Sequence, residues 1–217
     1  MIREAPAGDG GLDRLVYFSD AVMAIAITLL ALELPLPSGA DDAALWRSFA
    51  HLMGEQYLMF LLSFVVIAAY WAAHHRLFQH LTRSGPGLVR RNTLFLLAIV
   101  VLPYATRLLG EEGRSQVATV VYAVAVAGVG LSLLLLLRHA RRHGLLRDGT
   151  PPRMPGDLTR GVLIAVFAFL ASIPIAFVDT GAAKYSWAIL SALAAAVLLG
   201  IRRRGARRPP TRRPPEG

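Results

Sequence analysis

Leu15-Val16-Tyr17-Phe18-Ser19-Asp20-Ala21-Val22-Met23-Ala24-Ile25-Ala26-Ile27-Thr28-Leu29-Leu30-Ala31-Leu32-Glu33-Leu34 decides the fold class. Between Asp20 near its start and Glu33 near its end, this run has no charge at all. A helix rises about 1.5 Å per residue, so a hydrocarbon core of roughly 30 Å takes about 20 residues, and this run has that length. Five further runs follow, at 52–73, 93–109, 117–137, 161–178 and 182–201. Polar or Gly/Pro-bearing stretches at 35–42, 80–91, 110–116, 138–157 and 179–181 separate them and read as loops. The runs are rich in Leu and Ala and lack the two-residue alternation of membrane barrel strands. The expectation is an all-α, polytopic membrane protein with six transmembrane helices. Pro103 and Pro174 fall inside the third and fifth runs, where local bends are expected.

Composition agrees. Of 217 residues, 55% are hydrophobic and 17% charged, and mean hydropathy is +0.50, which excludes a water-soluble domain of this length. The net charge of +9 reflects 22 Arg and one Lys. With six spans both termini share a side, and 19 of these 23 basic residues fall on that side; Arg47, Arg107, Arg114 and Lys184 fall opposite. The excess places both termini in the cytoplasm. It also accounts for Arg138, Arg141, Arg142 and Arg147 and for the cluster at 202–213 as flanks of spans facing anionic lipid, so nucleic acid is not expected as the main partner. The organisation expected is a cytoplasmic tail at 1–14, a membrane domain at 15–201 and a disordered Arg/Pro-rich tail at 202–217. Residues before the first run sum to −1, unlike a cleaved leader, so the first span is expected to be retained. Cysteine is absent.

Ionisable groups at hydrocarbon depth are costly unless paired or hydrated, so they mark the informative positions. Asp20 lies one to two turns into the first span. At about 100° per residue it sits about 240° around the helix from Arg14, so the two do not pair along one face. Its partner is expected on another helix, among Trp71, His74, His75 and Arg76 at the end of the second span and Asn92 at the start of the third. The same residues also read as an ordinary interfacial anchor, and a His-His-Asp metal site is a third reading. Ile25, Thr28, Leu29 and Leu32 fall at about 0°, 300°, 40° and 340° on the helical wheel, a single stripe, while Asp20 lies at about 220°. Such a stripe is lipid-facing, packed, or lines a path.

Arg14-x-x-x-Phe18-Ser19-Asp20 followed by Ala24-Ile25-Ala26-Ile27-Thr28-Leu29-Leu30-x-Leu32-Glu33-Leu34 resembles the signature of the endosomal and lysosomal potassium channel family, transmembrane protein 175, in its bacterial form. Tyr70-Trp71-x-x-His74-His75-Arg76-Leu77-Phe78, Asn92 and Leu102-Pro103-x-x-Thr106 extend the resemblance, which covers about residues 14–109. It departs at Ala21, often Gly in relatives, and at Met23, where an aromatic is common. The resemblance implies a potassium-permeable channel in the bacterial inner membrane, a homotetramer with the first helix of each subunit lining the pore. Ile25, Thr28, Leu29 and Leu32 would supply its rings, and Arg14, Phe18, Ser19 and Asp20 a packing network with Trp71, His74, His75 and Asn92. No cofactor and no fixed metal are implied, and potassium passes only transiently. The alternative is a proton-coupled secondary transporter using Asp20 and His74 or His75, against which stands the absence of an internal repeat. An enzyme is not expected, because the spans hold no Gly-x-Ser-x-Gly, His-Glu-x-x-His or paired carboxylates.

Overall fold

The computed structural model describes residues 10–112 and 114–187, and among these the regular structure is helical apart from one isolated bridge between Leu81 and Leu146. Six helices follow in order: α1 (Gly10–Leu32), α2 (Asp42–Leu52), α3 (Glu55–Phe78), α4 (Pro86–Glu111), α5 (Gln116–Arg142) and α6 (Met154–Ala176). All but α2 are long and apolar enough to cross a membrane. A further helical stretch starts at 180, capped by Asp179, whose Oδ1 accepts from the backbone N–H of Gly181 at 2.7 Å and of Ala182 at 3.2 Å. Most of the sixth expected run, together with the 202–217 tail, lies outside the described residues.

The helix ends follow local chemistry. Pro86 opens α4 where its missing N–H costs nothing. Asp41 caps α2 by accepting from Ala44 N–H at 2.7 Å, and Ser115 caps α5 by accepting from Ala118 N–H at 3.4 Å. Past α1, Pro35 and Pro37 prevent continuation. Five boundaries lie five residues or more outside the apolar runs, since α3 continues to Phe78 and α5 to Arg142 and three helices start early. Helix α1 begins at Gly10, α4 at Pro86 and α6 at Met154, because a membrane helix carries its polar first turns beyond the hydrocarbon, where hydropathy no longer marks them. The segment 43–51, which carries no membrane-length run, is the short helix α2.

Helix α5 is central: 56% of its apolar window is buried, against 28% for α1 and for α6. It packs chiefly on α4 and α6, while α1 lies against α4 and α3. The α5–α6 contact is tight at Gly130, where an added Cβ would collide with Val166 and the Tyr70 hydroxyl. Helices α4 and α6 both run through their internal prolines, Pro103 and Pro174. At the arginine-rich end, the 80–82 and 145–147 loops are joined by Thr82 N–H to Leu145 O at 2.9 Å and Arg147 N–H to His80 O at 2.7 Å.

Candidate pore helix and its polar supports

Helix α1 has two unlike faces. Leu15, Ser19, Met23, Ala26 and Leu30, spaced by four, four, three and four, are buried against α3 and α4. Ile25, Thr28, Leu29 and Leu32 are all exposed, Ile25 by 59% and Leu32 by 80%. The hydroxyl of Thr28 donates to its own helix at the Ile25 carbonyl, 2.8 Å away, which leaves its oxygen lone pairs on the open face. None of the four belongs to the buried core of the subunit.

Apolar association inside lipid gains little from the hydrophobic effect, so polar contacts between helices take on more of the task of fixing their register. The buried side of α1 carries such a contact. Ser19 Oγ donates to the Leu15 carbonyl at 2.7 Å and accepts from Asn92 Nδ2 at 2.8 Å. Asn92 Oδ1 in turn lies 2.8 Å from His74 Nε2. A carbonyl oxygen only accepts, so His74 holds its proton on Nε2, and a continuous donor chain runs from α3 through α4 into α1. His74, Asn92 and Ser19 are each at most 1% exposed. The imidazole is stacked between Phe78 and Phe95, with ring centroids 4.1 Å and 5.0 Å away.

Asp20 belongs to a second, shallower contact. Its Oδ1 accepts from Trp71 Nε1 at 2.9 Å, and Trp71 stacks on His75 at 5.3 Å, whose Nε2 lies 2.9 Å from Gln79 Nε2. The residues grouped from the sequence thus divide into two branches on neighbouring faces of α3. Arg14 and Phe18 are exposed and join neither branch among the described residues. Among those residues no group of three or more His, Cys, Asp or Glu is arranged to hold a metal.

Two supports join residues that the sequence left unconnected, although Thr106 ends the Leu102-Pro103-x-x-Thr106 motif. Thr106 Oγ1 lies 2.8 Å from both Ser63 Oγ and the Leu102 carbonyl, and Ser63 Oγ lies 2.9 Å from the hydroxyl of Tyr122, joining α4, α3 and α5. Trp187 Nε1 donates to Ser172 Oγ at 2.7 Å, fastening the last described helical stretch to α6. Single hydroxyls in long apolar runs barely alter mean hydropathy, which is why they escape it. At the opposite end of α1, Arg107 bridges Glu33 at 3.3 Å and Glu111 at 2.8 Å. A pocket of about 260 Å³ opens beside them.

A bundle of membrane-length helices, joined by buried polar contacts and apolar on its outward faces, defines a multi-pass membrane protein. Residues 14–103 match the family described as endosomal/lysosomal potassium channel TMEM175. A potassium channel of Streptomyces collinus is 34% identical over 158 residues, covering 70% of this chain and 73% of the relative. The chain belongs to the TMEM175 family. The crystal structure of a lysosomal potassium-selective channel TMEM175 homologue from Chamaesiphon minutus superposes with a TM-score of 0.72 at 28% identity, over 85% of this chain and 96% of that one. The endosomal/lysosomal proton channel TMEM175 of Homo sapiens is 26% identical over 140 residues, 64% of this chain but 28% of its own length. An ion-channel family is not an enzyme class.

Proposed function

We propose that this protein is a potassium-permeable channel of the bacterial inner membrane with cytoplasmic termini, assembled as a homotetramer around the open face of α1. The observation that carries the reading is the continuous exposure of Ile25, Thr28, Leu29 and Leu32 beside a fully packed opposite face. Four copies of such a stripe would form stacked aliphatic rings. A ring of this kind expels water when narrow and closes the path without moving charge. Potassium sheds its hydration shell more readily than the smaller sodium, so partial dehydration at the rings favours potassium, with the Thr28 hydroxyls offsetting part of the cost. The Ser19–Asn92–His74 chain and the Asp20–Trp71 contact act as supports that fix α1 against α3 and α4. The arginine-rich cytoplasmic surface, including Arg138, Arg141 and Arg142, meets anionic lipid.

For the carrier alternative, the groups required for a proton relay are poorly placed. His74 is enclosed by two aromatic rings with its Nε2 proton donated to Asn92, and Asp20 is engaged on a separate branch with Trp71.

Because the chain has no cysteine, each α1 position can be tested by a single substitution. Cysteines replacing Ile25, Leu29 and Leu32 are expected to react with a small charged thiol reagent and lose most of the potassium flux. Cysteines replacing Met23, Ala26 or Leu30 should be protected. Flux that persists after complete labelling of the Ile25, Leu29 and Leu32 variants would remove this stripe from the pore.

A further inference from the structure

Helix α2 lies between two membrane-spanning helices, α1 and α3, so it sits at the end of the bundle where the Glu33–Arg107 bridge lies. Its 11 residues amount to about 16 Å of helix, far short of a bilayer. None of its residues is buried. Set at about 100° per residue, Leu45, Trp46, Leu52 and Met53 fall within about 60° of Phe49, whereas Arg47 and His51 lie about 160° away. The apolar side is open: Trp46 is 69% exposed and Met53 52%. On the flank, Ser48 Oγ accepts from the backbone N–H of Ser38 at 3.1 Å, so the preceding loop occupies a polar side of the helix and leaves the apolar stripe free.

The neighbours of the stripe indicate what covers it. Trp46 meets Phe49 edge to face at 5.8 Å, and Phe49 meets Tyr57 of α3 at 5.9 Å. Tyr57 immediately precedes Leu58, where the outward apolar surface of α3, with Leu61 and Val65 exposed, begins. An aromatic chain thus continues the lateral surface of a membrane span onto a helix too short to span. Tryptophan and tyrosine favour the boundary between headgroups and acyl chains, where an apolar ring and a polar N–H or O–H are both accommodated.

We propose that α2 is an interfacial helix lying in the plane of the bilayer surface, with Leu45, Trp46, Phe49, Leu52 and Met53 in the acyl boundary and Arg47 and His51 toward headgroups and water. It would fasten the short linker that follows α1 to the membrane surface. The proposal depends on the chain spanning a membrane and not on which ion it conducts.

The test uses the full chain in bilayers, with spin labels on single cysteines replacing Trp46, Met53 or Arg47, and accessibility to oxygen compared with that to a water-soluble nickel complex. Oxygen accessibility should exceed nickel accessibility at 46 and 53 and fall below it at 47. Equal access of nickel to all three would place α2 in water and overturn the proposal. Labels at 46 and 53 that are immobilised and shielded from both reagents would overturn it in favour of contact with a second copy of the chain.

Discussion

Replacing Ile25 with asparagine is expected to raise passive cation flux about tenfold or more, equivalent to about 1.4 kcal/mol off the barrier, and to bring potassium and sodium permeabilities close together. Ile25 stands outside the buried core of the subunit. It is 59% exposed on a face that makes no contribution to the subunit core, so the change leaves folding nearly untouched, within about 0.5 kcal/mol. What it does alter is the wetting of the ring. An amide offers donors and acceptors to a partly dehydrated ion, removing the cost that separates potassium from sodium. Reversal potentials under opposed potassium and sodium solutions, with thermal unfolding as the control for stability, read both effects. An Ile25→Asn channel that keeps the parent selectivity would show that discrimination lies elsewhere.

Asn92→Leu is expected to have the largest effect on stability. Asn92 is the link through which His74 and Ser19 communicate, and all three are buried. A leucine of similar volume leaves the His74 Nε2–H without an acceptor and removes the donor to Ser19 Oγ. An unsatisfied buried polar group costs about 1–3 kcal/mol, so a loss of about 2 kcal/mol is expected. For a chain of this length this lowers Tm by roughly 4–8 °C. The companion His74→Phe keeps a ring between Phe78 and Phe95 but needs no acceptor. The double variant His74→Phe/Asn92→Leu should therefore be less destabilised than the sum of the two singles. Strict additivity would mean that the observed hydrogen bond contributes no coupling between α3 and α4.

The two predictions depend on features that differed in how legible they were. Hydropathy located the membrane-length helices because lipid imposes a length and an apolar composition together. The wheel separated Asp20 from the Ile25 stripe because both lie on one regular helix, whose geometry needs no partner to be known. In the structure Asp20 meets Trp71 on α3 while Ile25 faces outward. Which side chain of another helix meets which was not legible. The sequence brought Asn92 to the same depth as Ser19 and His74, but its place as the middle link depends on the α1–α4 and α3–α4 contacts. The Ser63–Thr106–Tyr122 cluster was missed for a related reason, since each member is one hydroxyl among apolar neighbours. Helix α2 was missed because Arg47 and His51 lower its hydropathy. Its Asp41 cap and the Leu45, Phe49, Leu52 spacing are nevertheless a helix signal over 42–52.

Arg14 and Phe18 make a different case. The family resemblance groups them with Ser19 and Asp20, yet both are exposed in the single subunit. A neighbouring subunit would be needed to bury them. The tetramer proposed above would provide one, and it would also turn the α1 stripe inward.

Channel and carrier are separated by reconstituting the protein into potassium-loaded liposomes and following flux when a protonophore supplies charge compensation, then repeating with sodium inside. Passive potassium flux well above sodium flux is expected, without an imposed proton gradient and without saturation of the carrier kind. Flux that appears only when a proton gradient is imposed would contradict the channel reading, and would return Asp20 and the His74–His75 pair to the centre of the mechanism.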